Sequence, residues 1–344
     1  MLTERYPYFF DAHHPEWEAR ARAFVGEGSI RDRVAALGEA GLLRAPDVRA
    51  LALARWHLAH RDPLTDLAFV IQELGSFPLA RAGGFEGEVE EAKAGRSVVA
   101  FALTEPEAGS DVRALATVAV KHGDTYRLTG LKHFVSNAPD CDRAVVFARL
   151  DDAVACFLVD LPETEPQHVS GHSIGRVILR DTSARLVSPK GLALAFGTLE
   201  RCRPSVGAAA LGMARRALDE TVQHVSVRRQ FGAPLAAMPV VQARVAEMAL
   251  ELDATLPAVL HACWRRDTAP PGERTGYDSA VAKVAATEAA QRVVDRAVQL
   301  LGGRGVEEEH VVQRLYRDIR PLRIYEGATD VLLTVIAAHW LEAP

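Results

Sequence analysis

Leu103-Thr104-Glu105-Pro106-Glu107-Ala108-Gly109-Ser110-Asp111 follows directly on an apolar run, Ser97 to Ala102, that reads as a buried strand. Pro106 has no N–H to give to a ladder and biases Glu105 toward extended backbone. Gly109 admits left-handed backbone and close approach to a ligand. Ser110 and Asp111 are short polar groups suited to a turn or a cap. A strand opening into a tight polar turn can hold a phosphate or the edge of a flat cofactor. Taken alone, the same nine residues are equally a plain strand-to-loop turn.

Working outward, residues 1–95 read as helices, over Glu16 to Phe24, Ile30 to Leu43, Val48 to His60 and Thr65 to Leu79, with Ser29 as the cap of the second. The character changes at Arg96. From 96 to 199 the pattern is short strands: Val98 to Leu103, Tyr126 to Leu131, Ala144 to Ala148, Ala155 to Val159 and Ala184 to Val187. Turn signals such as His122-Gly123-Asp124 separate them, which predicts a small antiparallel β-domain. From 200 to 344 helices return: Ser205 to Val227 with Pro204 in its first turn, Val240 to Arg266, Tyr277 to Leu301, Glu307 to Arg317, and one after Gly327. Each long helix carries one apolar stripe and reads as part of a bundle. The run Gly207-Ala208-Ala209-Ala210 allows close helix contact.

Of the 344 residues, 49% are hydrophobic and 25% charged, which is ordinary for a soluble globular chain. A net charge of −5 argues against a nucleic-acid protein, because phosphate backbones call for a basic surface. Cys141, Cys156, Cys202 and Cys263 form no CxxC, which points to a reducing, cytoplasmic compartment and no metal site. The His13-His14 pair reads as a surface turn beside Pro15. Met1 to Phe10 has no signal-peptide character, and no apolar run reaches membrane-spanning length.

Three further blocks follow the first. They are Gly130-Leu131-Lys132-His133-Phe134-Val135-Ser136-Asn137; Arg228-Arg229-Gln230-Phe231-Gly232-Ala233-Pro234-Leu235; and a last set, Gln299 to Gly305, Tyr316-Arg317-Asp318 and Ile324-Tyr325-Glu326-Gly327. With Ala102 to Ala114, these blocks resemble, in order, the signatures of the acyl-CoA dehydrogenase family, from about Val98 to Ile336. The resemblance implies a mainly α fold with a central β-domain: an N-terminal helical domain, a small antiparallel β-barrel or sandwich, and a C-terminal four-helix bundle.

The implied reaction is α,β-dehydrogenation of an acyl thioester, carried by CoA or an acyl carrier protein. A carboxylate removes the α-proton while the β-hydride passes to N5 of FAD. Burial raises a carboxylate's basicity, as this role needs. Glu326, between Tyr325 and Gly327, matches the base, and its backbone N–H matches the donor to the thioester carbonyl. Read without the other blocks, Glu326 is a helix-start carboxylate near Asp330. Some branches of the family place the base at the position of Cys202, which is a poor base, and Glu200 is the fallback.

Other matches follow residue by residue. Phe101, Leu103 and Thr104 line the flavin ring, Gly109 and Ser110 lie near the pyrophosphate, and Phe134 and Ser136 pack on the ring and its edge. Ser110, Tyr325 and Gly327 also match substrate contacts. Arg203 matches a residue near substrate; its bland reading is a helix-start Arg paired with Glu200. Arg228 and Phe231, with Gln299 and Gly303, match residues reaching the cofactor of a neighbouring subunit. A solvated helix charge is the bland reading of Arg228. The resemblance thus implies a homo-oligomer, a dimer or dimer of dimers, passing electrons to an acceptor such as an electron-transfer flavoprotein.

The chain departs from the pattern at Phe134, where Trp is usual, at Ala328, where Thr often touches the flavin, and at His224, where Tyr is usual. Residues 137–199 are also short for the family. Two other readings follow: a non-catalytic partner subunit of a hetero-oligomer, or a flavin monooxygenase or oxidase on the same fold. Glu326 weighs against both.

Overall fold

The computed structural model describes residues 1–169 and 172–341. In chain order, α1 (Leu2–Arg5), α2 (His14–Ala23), α3 (Ile30–Glu39), α4 (Val48–Arg61), α5 (Pro63–Ala82) and α6 (Glu86–Lys93) come first. The strands are β1 (Val99–Ala102), β2 (Val118–His122), β3 (Thr125–Ser136), β4 (Arg143–Leu150), β5 (Ala153–Asp160), β6 (Glu163–Val169) and β7 (His172–Ser188). After them come α7 (Gly191–Val227), a hairpin of β8 (Arg229–Gln230) and β9 (Ala233–Pro234), then α8 (Pro239–Thr268), α9 (Gly276–Leu301), α10 (Val311–Ile319) and α11 (Thr329–Leu341). Among the described residues, no helix is long and apolar enough to cross a membrane.

The chain forms two compact units. One is built from Val25–Ala45 and Leu64–Cys202, the other from Met1–Phe24, Pro46–Pro63 and the chain from Arg203 onward.

In the first unit the strands close on themselves. The sheet runs β1-β4-β2-β3-β7-β5, and β4 also pairs with β5, while β6 lies along β7. The sheet is mixed rather than antiparallel throughout, since β1–β4 and the single β2–β4 contact are parallel. A barrel of so few strands has room for only small or slender side chains. Its interior holds Ala100, Ala102, Ala144, Val146, Ala148, Ala155 and Phe157. The alternate residues of β4 and β5, Val145, Phe147, Cys156 and Leu158, face outward against Leu79, Phe85, Ala92 and Ala195. Both strands are therefore buried on both faces, which is why they read as unbroken apolar runs. The buried Gln72 of α5 fixes where β1 starts: its Nε2 donates to Ser97 O at 2.7 Å and its Oε1 accepts from Val99 N at 2.7 Å.

Ser29 caps α3 as the sequence predicts, accepting from Asp32 N. Two expectations are corrected. The strand region does not last to Leu199, and Pro204 is not in a first turn: α7 begins at Gly191 and Pro204 lies inside it. Ala195, with Leu192 and Leu194, packs into the barrel's outer core, and this burial outweighs the N–H that Pro204 lacks.

The second unit is a helical bundle of α8 to α11 with the chain of α7 from Arg203, joined by α1, α2 and α4. Gly207 lets the helices approach closely, since a Cβ there would sit 2.8 Å from Val259 Cγ2 and 3.1 Å from Ala286 Cβ. The small residues of α9, Ala282, Ala286, Ala289, Ala290, Val293 and Ala297, are buried at helical spacing.

Candidate active site

Within the barrel unit, β1 runs into the quoted turn. Glu105 N donates to Ala108 O at 3.0 Å and Ala108 N returns to Glu105 O at 3.2 Å. The Glu105 side chain turns inward, accepting from Ala116 N at 2.6 Å and Thr117 N at 3.1 Å, and pairing with Lys132 Nζ at 2.6 Å. Lys132 Nζ also donates to Leu103 O at 3.2 Å. The second sequence block thus reaches back to hold the first. Burial pulls the Lys132 ammonium down to about 8, against the pull of Glu105. Burial works against the Glu105 charge too, but Lys132 and the N–H donors outweigh it and hold the carboxyl below its ordinary range.

The outer side of this turn is open. Gly109 and Ser110 are exposed, and a Cβ on Gly109 would meet nothing within 4 Å. Leu103 is buried, Thr104 and Ser136 are half-buried, and half-buried Phe101 packs on Phe147 with ring centroids 5.1 Å apart. Between Lys132 and Val135 the β3–β7 register slips. There Phe134 takes left-handed backbone (φ 53°) and holds its ring 60% exposed, with its N–H donating to Gln167 Oε1 at 2.9 Å. A bulge that aims an aromatic face outward beside open glycine backbone and hydroxyl side chains fits a flat, phosphate-bearing cofactor.

Within the helical unit, Glu326 is on no helix, so the helix-start reading is corrected. It lies in the loop before α11 on left-handed backbone (φ 51°), followed by Gly327 at φ 106°. Glu326 Oε2 is shielded from solvent. Three side chains grip the loop. Arg203 Nε donates to Glu326 O at 2.9 Å, and Lys283 Nζ to Gly327 O at 2.6 Å. Glu288 accepts from Arg323 Nε at 2.7 Å and from Thr329 Oγ1 at 2.8 Å, closing the two ends of the loop. Arg203 therefore acts from a helix interior, not a helix start. Tyr325 and Ala328 are half-buried in the same loop; in the barrel unit, Cys202 is fully buried and Glu200 is half-buried.

The third block forms the β8–β9 hairpin, with Phe231 (φ 52°) and Gly232 (φ 82°) as its two central residues, a turn type that requires positive φ at both. Phe231 is 96% exposed. Arg228 and Gln299 are exposed, and Gln299 O accepts the N–H of Gly302 beside exposed Gly303. Burial lowers the His224 pKa, and the charges of Arg304 and Arg228 lower it further.

The surface-turn expectation holds for His13, which is exposed in the turn before α2, and is corrected for His14. His14 is fully buried at the start of α2; its Nδ1 accepts from Asp11 N at 2.9 Å and its Nε2 meets Asp47 Oδ1 at 3.1 Å. Asp11, His13 and His14 lie close enough to hold an ion. However, both His14 nitrogens are already engaged and Asp11 is paired with Arg49 at 2.6 Å, so the trio reads as a junction onto the N-cap of α4.

Sequence reasoning did not single out Lys283, Glu288, Arg323 or the Lys132–Glu105 pair. The available signal was a lone Lys in the apolar helical run Ser279 to Ala286.

A closed barrel with an outward aromatic wall, and a helical bundle presenting a shielded carboxylate, define the class as acyl-CoA dehydrogenase-like. Residues 100–185 match the middle domain of acyl-CoA dehydrogenases and residues 189–341 their C-terminal domain. The mitochondrial short-chain specific acyl-CoA dehydrogenase of Homo sapiens is 33% identical over 89% of this chain and 78% of its own. Subunit CarC of the caffeyl-CoA reductase–Etf complex of Acetobacterium woodii is 35% identical over 72% of this chain and 69% of its own. The solved butyryl-CoA dehydrogenase from Megasphaera elsdenii superposes with a TM-score of 0.86 at 26% identity, over 96% of this chain and 99% of that one. The chain belongs to the acyl-CoA dehydrogenase family. Its members are FAD flavoproteins and oxidoreductases acting on acyl-CoA, so FAD is the cofactor that membership assigns.

Proposed function

We propose that the protein dehydrogenates an acyl thioester at its α,β-bond, with Glu326 removing the α-proton. The observation that carries this reading is the Glu326 loop. A half-buried carboxylate with its Oε2 shielded from solvent sits on left-handed backbone, with the carbonyls of residues 326 and 327 both gripped by cationic side chains. Backbone held in such a costly conformation marks a group whose placement matters. A base for this reaction must be ionised and held away from bulk water when the acidified C–H is presented. Its backbone N–H, fixed with the loop, is the donor for the thioester carbonyl as negative charge develops there. FAD, when bound, takes up the two electrons removed with the β-hydrogen.

The wall formed by Phe101, Leu103, Thr104, Gly109, Ser110, Phe134 and Ser136 is the FAD surface in this reading, with Ser110 also a candidate substrate contact, and on the helical unit Tyr325, Gly327 and Arg203 are the candidate acyl contacts. Arg228, Phe231, Gln299 and Gly303 serve a neighbouring copy's cofactor. An almost fully exposed Phe in a tight hairpin turn, three residues from exposed Arg228, suits an aromatic and phosphate partner. Only Leu332 of α11 is buried among its described residues, while Val331, Leu333, Val335 and Trp340 are exposed, which supports self-association as at least a dimer. An electron-transfer flavoprotein is the proposed acceptor.

Two relatives carry reductase names, so a second reading runs the same residues toward reduction of an unsaturated acyl thioester, with Glu326 returning the proton. The test is a visible spectrum of the purified protein, followed by acyl-CoAs added under nitrogen. Bleaching of the flavin supports dehydrogenation. A protein that bleaches only with an external reductant, and is re-oxidised by enoyl-CoA, supports the second reading. A colourless protein that FAD does not reconstitute contradicts both.

A further inference from the structure

The structure assigns Lys283 a positioning role for the loop that carries Glu326: its ammonium fixes the Gly327 peptide, and its charge keeps the neighbouring carboxylate ionised between turnovers. This rests on the reading of Glu326 as the base. Lys283 is the lone charge in the run Ser279 to Ala286 of α9, and its side chain is 0% exposed. Burying an ammonium is costly unless it is hydrogen-bonded and paired. Among the described residues, its hydrogen bond goes to Gly327 O at 2.6 Å. An ammonium has three donors, so the group has more capacity than the fold uses.

Four charges bear on Lys283. Burial pulls its pKa down to about 8; Glu326 on the loop opposes that pull, Arg203 on α7 adds to it, Glu288 on α9 opposes it, and Arg323 before the loop adds to it. Glu326 is the strongest of these charge partners. The attraction is mutual: a cation that gains from the Glu326 carboxylate also favours the ionised form of that carboxylate. Glu288 is already bound to Arg323 and Thr329, and Arg203 already holds Glu326 O. Glu326 is the charge that most favours the Lys283 ammonium, and the grip of Lys283 on the carbonyl of residue 327 holds the peptide between Gly327 and Ala328, one beyond the peptide that Arg203 fixes.

A lysine that merely stabilised the fold would change melting temperature and nothing else. The deciding experiment uses the FAD-loaded protein and Lys283→Met, which keeps the aliphatic stem and removes the charge. The rate of flavin bleaching by acyl-CoA is followed against pH, with hydrogen exchange of residues 324–328 measured in parallel. The acid limb of the rate should move up by about one pH unit, the size of shift that loss of one nearby opposite charge gives, with KM changed less than about threefold. Exchange at residues 324–328 should quicken relative to α10. An unmoved acid limb together with unchanged exchange overturns the proposal.

Should Lys283→Met not fold, the wild-type protein gives the answer. Between pH 7 and pH 9 the Lys283 ammonium loses its charge, and protection at 324–328 should fall relative to α10 after correction for intrinsic exchange. Equal protection at both pH values overturns the proposal. Glu326→Gln separates the two claims: if that variant still bleaches, the base assignment fails, while the exchange arm still reports on the Lys283 grip.

Discussion

The guanidinium Nε of Arg203 donates to the backbone carbonyl of Glu326 across 2.9 Å, so a residue next to the interior proline of α7 sets the orientation of the peptide that follows the proposed base. Because the peptide is planar and trans, fixing that carbonyl also fixes the N–H of Gly327 on the opposite side.

Arg203→Gln should therefore lower the rate of flavin reduction by roughly 10- to 100-fold, equivalent to the ~1.5–3 kcal/mol of a hydrogen bond to a charged donor. Stopped-flow bleaching with saturating acyl-CoA measures it, and the melting temperature should change by only a few degrees.

Gly327→Ala should cost both stability and rate. The residue sits at φ 106°, and a Cβ there would lie 2.9 Å from Leu332 Cδ2 and 3.0 Å from its Cγ. Leu332 is the buried anchor of α11 and cannot yield freely. The expected loss is about 1–3 kcal/mol in thermal or urea denaturation, with bleaching slowed in the same protein.

Phe134→Gly should separate cofactor binding from folding. The ring is 60% exposed and its backbone is left-handed, so glycine relieves strain without opening a core. The apoprotein should melt at the same temperature or slightly higher. FAD affinity, read by fluorescence titration, should fall about tenfold, as for one lost aromatic contact.

The N-terminus should loosen in acid. Glu18 is buried and accepts from Leu2 N at 2.6 Å, Thr3 N at 3.0 Å and Thr3 Oγ1 at 2.7 Å, and meets His57 Nε2 at 2.9 Å. Burial opposes its charge, but His57 and Thr3 outweigh it and bring the pKa from 4.5 down to about 2. The folded state therefore binds this proton less readily than the unfolded one. Its contribution is present in full above about pH 4.5 and fades as the pH falls to about 2. Thermal melts should show Glu18→Gln less stable than wild type by about 1–3 kcal/mol at pH 7, with the gap closing across that acid window.

The elements legible in the sequence are those whose burial imposes a period. β4 and β5 are buried on both faces and appear as apolar runs, and α9 shows its small buried residues at helical spacing. The elements that escaped have little to bury. α6 buries only Ala92, and β6 contributes no buried side chain among its described residues, being held by its ladder to β7. β3 is longer than its apolar core because two register shifts let polar residues continue the pairing.

The site divides along the same line. The 103–111 turn was visible because Pro106 and Gly109 mark a turn, and Glu326 and Phe134 were picked out by the family resemblance. The residues that hold them were not. Lys132, Lys283 and Glu288 act through sequence-distant contacts, 27 residues to Glu105 and 44 and 41 to the loop around Glu326. Nor does the two-unit division follow chain order: Val25–Ala45 belongs with the barrel, while Pro46–Pro63 belongs with the bundle.

The central claim is that Glu326 removes the proton that starts the reaction. Its most direct test is anaerobic addition of acyl-CoA to the FAD-loaded wild type and to Glu326→Gln, with the flavin absorbance followed in time. The account predicts rapid bleaching of the wild type and, in the variant with its flavin still bound, bleaching slower by at least about a hundredfold, the lower end of what a positioned general base contributes. A Glu326→Gln protein that binds FAD and bleaches at the wild-type rate would contradict it.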